Sequence, residues 1–393
     1  MIINRMGGFV HAFLALFLQA KLGMEEHKIA QYIIIMGVTS AFSPFIGGKI
    51  ADLRGRKSIY ILAQTLAAAL LIPCGLFVNS KPDIIPILLI VSSIIGNIIG
   101  PINNSIVADL TKSENERKKA YALMYLGVNI GVAIGPMIGG FLFENFITFF
   151  FIGEAIATFV SVLLVACFIK ESKPSVEEMI SMNGKEAFDE RISLKVLLNR
   201  PELIAFLFFT LLNSIVYAQS SFGIPLHLQS IFNDGASKYG ILMSFNAAIC
   251  IILTLPLTAL LKKVHPINNM IIASVFYSLG FGMIGFAGKE YSIYFLSVLL
   301  WTIGEIIITT NQSLFFLSFT PVNHRGRFSS ILSFAGGAGF IISPLMKSMI
   351  SSRNDVLMTW ILFGIISLMA AGGMLMTRSF LTRLESTKLN SSL

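Results

Sequence analysis

The chain has 393 residues, of which 55% are hydrophobic and 13% charged, with 33 Phe, a net charge of +8 and a mean hydropathy of +0.78. A soluble domain carries about 25% charged residues, so this composition leaves too little polar surface for a water-facing body, and most of the chain must meet lipid. The same arithmetic excludes a disordered tail, a disulfide scaffold and a large soluble catalytic domain. Cys74, Cys167 and Cys250 lie in apolar runs, where a thiol behaves as a small hydrophobe.

Apolar segments of about 20 residues occur near 2–22, 30–50, 58–78, 83–108, 119–143 and 147–169, then near 202–228, 237–261, 267–287, 291–317, 327–350 and 356–377. The first run begins at Met1 with no small-residue cleavage signature after it, so it reads as a span and not a removed signal peptide. Twelve transmembrane helices are expected, in an N-terminal six-helix bundle (1–169) and a C-terminal one (201–393), joined by a polar central loop (170–200).

Lys and Arg in the loops set the orientation. With both termini on one side, only Lys21, Lys28, Lys81, Lys238, Lys289, Lys347 and Arg353 of the 29 basic residues fall opposite. Both termini and the central loop are therefore expected in the cytoplasm, and topology accounts for the positive charge without nucleic-acid binding.

The halves repeat. A shift of 208 positions sets Arg117 on Arg325, Gly131 on Gly339 and Pro136 on Pro344, with Gly127 on Ala335 and Gly135 on Ser343. Two bundles in parallel register, related by pseudo-two-fold symmetry along the membrane normal, are an architecture of secondary transporters.

Between the second and third spans stands Gly48-Lys-Ile-Ala-Asp52-Leu-Arg-Gly55-Arg56-Lys57. Gly55 permits a tight turn, and Arg56 and Lys57 can anchor it at the anionic leaflet. Asp52 is an acid among bases at the membrane edge, placed to dock on the positive N-terminal end of the eleventh helix, near Gly326 to Ser330; a positive-inside loop with a stray acid is the plainer alternative. In the fifth span Gly127, Gly131, Gly135 and Gly139 recur every fourth residue beside Pro136, and Gly140 follows. That spacing strips one helix face of side chains for close approach, expected against a helix of the opposite half, and Pro136 adds a kink; the alternative is static packing without a gating role.

On these two motifs, the span count and the repeat, the chain resembles the major facilitator superfamily over nearly its whole length. Leu53 stands where the family's loop usually has Arg. Gly131-Val-Ala-Ile-Gly135-Pro136-Met-Ile-Gly139-Gly140 is similar to the fifth-helix motif of the family's antiporters, which implies export by the 12-helix drug/proton branch. The family's exporters often carry an Arg four residues before a Gly in the fourth span, whereas Ser92 precedes Gly96 here. Ion coupling must then lie elsewhere.

Glu305 is the ionisable residue nearest the middle of any span. A carboxylate there costs about 2.5–3.5 kcal/mol on the insertion scale, so it is expected to face a cavity and couple protons, with Trp301, Thr309 and Gln312 on its helical face; a structural acid tied to a neighbouring helix is the alternative. Its Gly-Glu element resembles the tenth helix of some multidrug exporters of the superfamily. Glu154 is a second proton-coupling candidate. Glu154 and Lys347 lie near enough to the outer surface to snorkel, and His11 reads as a packing residue. Asn97, Pro101, Asn104, Tyr125, Asn129, Tyr217 and Gln219 mark a candidate cavity wall, or else bonds between helices.

No Gly-x-x-x-x-Gly-Lys-Ser/Thr loop for ATP occurs, and no His, Cys or acid cluster suggests a metal or nucleophile, so the chain does not read as an enzyme. The expectation is a plasma-membrane, multi-pass exporter of drug-like, amphipathic or metabolite substrates, coupled to protons, without cofactors and functional as a monomer. An uptake symporter and a non-transporting membrane sensor are the alternatives.

Overall fold

Backbone amides and carbonyls find no partners in hydrocarbon, so a chain this apolar must satisfy them within helices. The structure, a computed structural model, describes residues 2–99, 102, 103, 106, 114–169, 171, 200–318, 325–351 and 355–391, and among these every regular element is helical.

The first expected span is broken into α1 (Ile2–Met6), α2 (Phe9–Ala12) and α3 (Leu14–Ala20). Then follow α4 (Glu26–Arg54), α5 (Arg56–Phe77), α6 (Ile85–Asn97), α7 (Glu114–Asn145) and α8 (Ile147–Phe168). The seventh span is divided into α9 (Pro201–Tyr217) and α10 (Gly223–Ile231), and the chain continues with α11 (Gly235–Leu261), α12 (Pro266–Gly282), α13 (Tyr291–Ser318), α14 (Arg325–Ser351) and α15 (Val356–Ser391). Among the described residues nine helical stretches are long and apolar enough to cross a membrane. The expected first, second and fourth spans are not among them, so for those three the count of twelve rests on the sequence. The central loop lies almost wholly outside the described residues.

The helices form two compact units, Met1–Ala187 with Ile224–Ala247, and Phe188–Gly223 with Ala248–Leu393. In the first unit, Phe13 and Phe17 of the first span meet Phe143 of α7 and Phe150 and Phe151 of α8, with ring centroids 5.2–6.0 Å apart. Such pairs contribute about 0.5–1.5 kcal/mol each beyond their buried area. In the second unit α12 packs against α13 and α15, and α9 against α14 and α15. A polar knot ties three of these together: Asn213 donates to the Ser274 hydroxyl at 2.8 Å, and the Ser367 hydroxyl donates to Asn213 Oδ1 at 2.9 Å. All three side chains are buried, which makes them interhelical glue and not a water-facing site. Large apolar side chains such as Leu163, Phe168, Leu255 and Met376 are exposed, as a lipid-facing surface requires.

Candidate functional site

Glu305 sits half-buried near the middle of α13. Gly304, one residue before it, brings α13 hard against α12: a Cβ at Gly304 would stand 2.6 Å from the Tyr277 ring and 2.9 Å from the Ala273 carbonyl oxygen. One turn further out the approach recurs, since a Cβ at Gly280 would stand 2.7 Å from the backbone nitrogen of Trp301. This crossing presents Tyr277 to the acid's own surroundings.

The Tyr217 hydroxyl, at the end of α9, donates to Glu305 Oε1 at 2.7 Å. Its ring stacks on Tyr277 at 5.8 Å and 13°, and Trp301 and Phe340 meet it edge-on at 6.0 and 5.9 Å. The Cys250 thiol of α11 approaches Glu305 Oε2 at 3.9 Å. A carboxylate thus faces an aromatic wall with a phenol and a thiol as its donors, an arrangement able to hold or release one proton and to attract a cation.

Of the expected cavity residues, Glu305, Tyr217 and Trp301 come together. Trp301 is 1% exposed and its ring stacks on Phe281 at 5.7 Å, so it backs the site instead of opening into it. Thr309 turns its hydroxyl onto the Glu305 carbonyl at 2.9 Å, and Gln312 is half-buried two turns along. Gln219 is fully buried and donates to the Ser343 hydroxyl at 2.6 Å, tying the end of α9 to α14. In the first unit Asn97 donates to Ser93 of its own helix at 2.8 Å, while Ser93 and Ser40 pair at 2.9 Å across α6 and α4. Asn129 is half-buried in α7. Asn104 and Pro101, with the side chain of Tyr125, lie outside the described residues.

Four expectations are corrected. Glu154 does not snorkel: its carboxylate accepts the Val10 amide at 2.7 Å, filling the gap where the first span breaks. Lys347 does not reach the surface either; it is 6% exposed, with its ammonium 5.8 Å from the centre of the Phe222 ring. His11, read as a packing residue, is exposed. Gly135 and Gly139 of the fifth-helix stripe meet the first span and not the opposite half. Methyls at Gly135 would stand 3.0 Å from the Met6 carbonyl, and at Gly139 3.1 Å from the Phe9 and Phe13 side chains, while Gly131 is buried. It is the neighbouring face, Pro136 and Gly140, that touches α11: a Cβ at Gly140 would stand 2.6 Å from the Ala236 carbonyl, and one at Gly240 would overlap the Pro136 carbonyl.

At the loop motif Gly55 has φ +101°, a backbone conformation that side chains resist. The turn is organised by a residue the sequence reading missed. Glu171, beyond α8, accepts the amides of Arg56 and Lys57 on one oxygen at 2.8 and 3.2 Å and that of Ser58 on the other at 3.3 Å. A carboxylate there satisfies the free N–H groups of the first turn of α5 and its positive end. Lys57, expected at the leaflet, donates instead to the Ala166 carbonyl at 2.7 Å, near the carbonyl end of α8. The side chains of Gly48, Asp52 and Gly326 to Ser330 lie outside the described residues.

Comparison with known proteins places this architecture. The sequence profile of the Major Facilitator Superfamily matches residues 1–344. YhjO of Bacillus subtilis (strain 168), an uncharacterised transporter of that type, is 23% identical over 345 residues, covering 88% of this chain and 82% of its own. A Na(+), Li(+), K(+)/H(+) antiporter of Planococcus maritimus is 22% identical over 360 residues, covering 86% and 84%. Among solved structures, a variant of the peptide transporter POT in complex with sulfate has a TM-score of 0.80 at 15% identity, covering 98% of this chain and 93% of that one. The nucleoside transporter NupG has a TM-score of 0.76 at 16% identity, covering 96% of each. At such identities the structural likeness is one of fold. The family match extends over most of the sequence, and the chain belongs to the major facilitator superfamily: it is a multi-pass, all-helical membrane transporter and not an enzyme.

Proposed function

We propose that this transporter exchanges protons for a drug-like, amphipathic or metabolite substrate and exports it by alternating access, with Glu305 as the proton carrier. The observation that carries the reading is the Tyr217–Glu305 hydrogen bond at 2.7 Å, half-buried within a membrane helix and walled by aromatic rings. An acid at that depth is retained at a cost of about 2.5–3.5 kcal/mol, which favours a functional role. Facing outward, the carboxylate takes a proton; facing inward, it gives that proton up as a substrate enters. A cationic substrate gains from the carboxylate and from the surrounding rings.

The fifth-helix motif supports export, and the likeness to the Planococcus cation/proton antiporter supports exchange against protons. That same relative favours a second reading, exchange of a monovalent cation. In this proposal the protein works as a monomer in the plasma membrane with both termini cytoplasmic, and protons replace any cofactor.

The test uses inside-out vesicles with an imposed pH gradient, a panel of fluorescent amphipathic cations, and Na⁺ and K⁺ as alternative substrates. The parent is expected to accumulate dye as protons leave, and Glu305→Gln to lose pH-driven transport while remaining in the membrane. Accumulation by Glu305→Gln with the parent's pH dependence overturns the assignment; exchange of Na⁺ or K⁺ without any dye transport selects the second reading.

A further inference from the structure

Glu144 is the penultimate residue of α7, and both its oxygens are engaged by one residue of α11. Oε1 accepts the Ser237 amide at 2.9 Å and Oε2 accepts the Ser237 hydroxyl at 2.8 Å. Ser237 is the third residue of α11, whose first amides have no partner within the helix. A carboxylate at that end is bound by hydrogen bonds and by the helix dipole together. Just below, the backbones themselves touch at Gly140 with Ala236 and at Gly240 with Pro136, and Phe13 meets Tyr239 edge-on at 5.1 Å. Glu144 and Ser237 come from opposite halves of the sequence, at the ends of the fifth and eighth spans that the loop charges place outside.

We propose that Glu144 is a latch that holds the outer ends of the fifth and eighth spans together, and that it must release Ser237 each time the outer face opens. This rests on the alternating-access reading, in which one half rocks against the other. Glu144 bonds two atoms that no proton carrier needs, so its role is positional: it sets how much of the population is closed outside.

The test is the rate at which a membrane-impermeant maleimide labels Ala236→Cys from outside, in right-side-out vesicles holding the full chain with Cys74, Cys167 and Cys250 replaced. Ala236 is fully buried, so labelling reports opening. Glu144→Gln keeps the size of the side chain and removes its charge, whereas Ser237→Asp sets a like charge opposite it. Glu144→Gln, whose amide can keep both contacts and loses only the charge at the helix end, is expected to raise the labelling rate about twofold to thirtyfold. Ser237→Asp, which also removes the hydroxyl donor, is expected to raise it about tenfold to a hundredfold. Ala370→Cys, fully buried in the second unit, is expected to stay protected. Unchanged labelling at Ala236→Cys in both variants overturns the latch. A matching rise at Ala370→Cys in both variants also overturns it, because that is general loss of fold. PH-driven transport retained by Glu305→Gln would refute the coupling reading while leaving the labelling result intact.

Discussion

Gly304→Ala isolates the contact that builds the site. The new methyl would stand 2.6 Å from the Tyr277 ring and 2.9 Å from the Ala273 carbonyl, and carbon contacts prefer about 3.5–4.0 Å. The two helices must separate by about 1 Å, and part of what the methyl meets is backbone, which cannot swing aside. Overpacking of this kind costs about 1–3 kcal/mol, against up to about 1 kcal/mol recovered from helix propensity. The net loss of up to about 3 kcal/mol corresponds to a fall in Tm of up to about 12 °C for a cooperative unit of this size. Gly372→Ala is the control, because nothing lies within 4 Å of its added methyl; it is expected to be neutral or slightly stabilising. Both tryptophans of the chain, Trp301 and Trp360, lie buried in the second unit, so intrinsic fluorescence during heating in detergent micelles reports that unit directly. A Gly304→Ala protein no less stable than Gly372→Ala refutes the tight crossing.

Tyr217→Phe removes the donor to Glu305 and leaves the ring stacked on Tyr277; pH-driven transport is expected to fall at least about tenfold, since a hydrogen bond to a charged group contributes about 1.5–3 kcal/mol. Transport at the parent rate would show that the hydroxyl has no part in coupling. Glu171→Ala removes the acceptor of three amides at the start of α5, at a cost of about 0.5–2 kcal/mol. Hydrogen exchange at Arg56, Lys57 and Ser58 is expected to quicken, and protection equal to the parent's would refute the cap.

The sequence exposes whatever is expensive in lipid and conceals what is ordinary there. Glu305 stands out because an acid within an apolar span is costly, and Tyr217 because it is polar. That the two bond could not be read, since 88 residues separate them and no local period links their helices. Cys250 and Tyr277 are common residues of apolar helices and carry no signal of their own. The glycine stripe of the fifth helix announces a close approach by its spacing, yet spacing does not name the neighbour, and the first span took the place expected for the opposite half. Glu171 was hidden because an acid in the polar stretch beyond the sixth span costs nothing. For Glu154 and Lys347 the sequence supplies depth alone. Depth says how far a side chain must reach for water, but not whether a broken helix or an aromatic ring lies closer.

The broken first span also bears on the order in which the polypeptide assembles. The carboxylate that accepts the Val10 amide lies 144 residues further along, so when the first span leaves the ribosome its acceptor has not been made. An amide without a partner in hydrocarbon costs several kcal/mol, and the newly inserted segment satisfies it most cheaply as one uninterrupted helix. The bend between α1 and α2 is then a late acquisition, formed when the sixth span docks and Glu154 arrives, and a segment made well before its partner is among the last to reach its final shape.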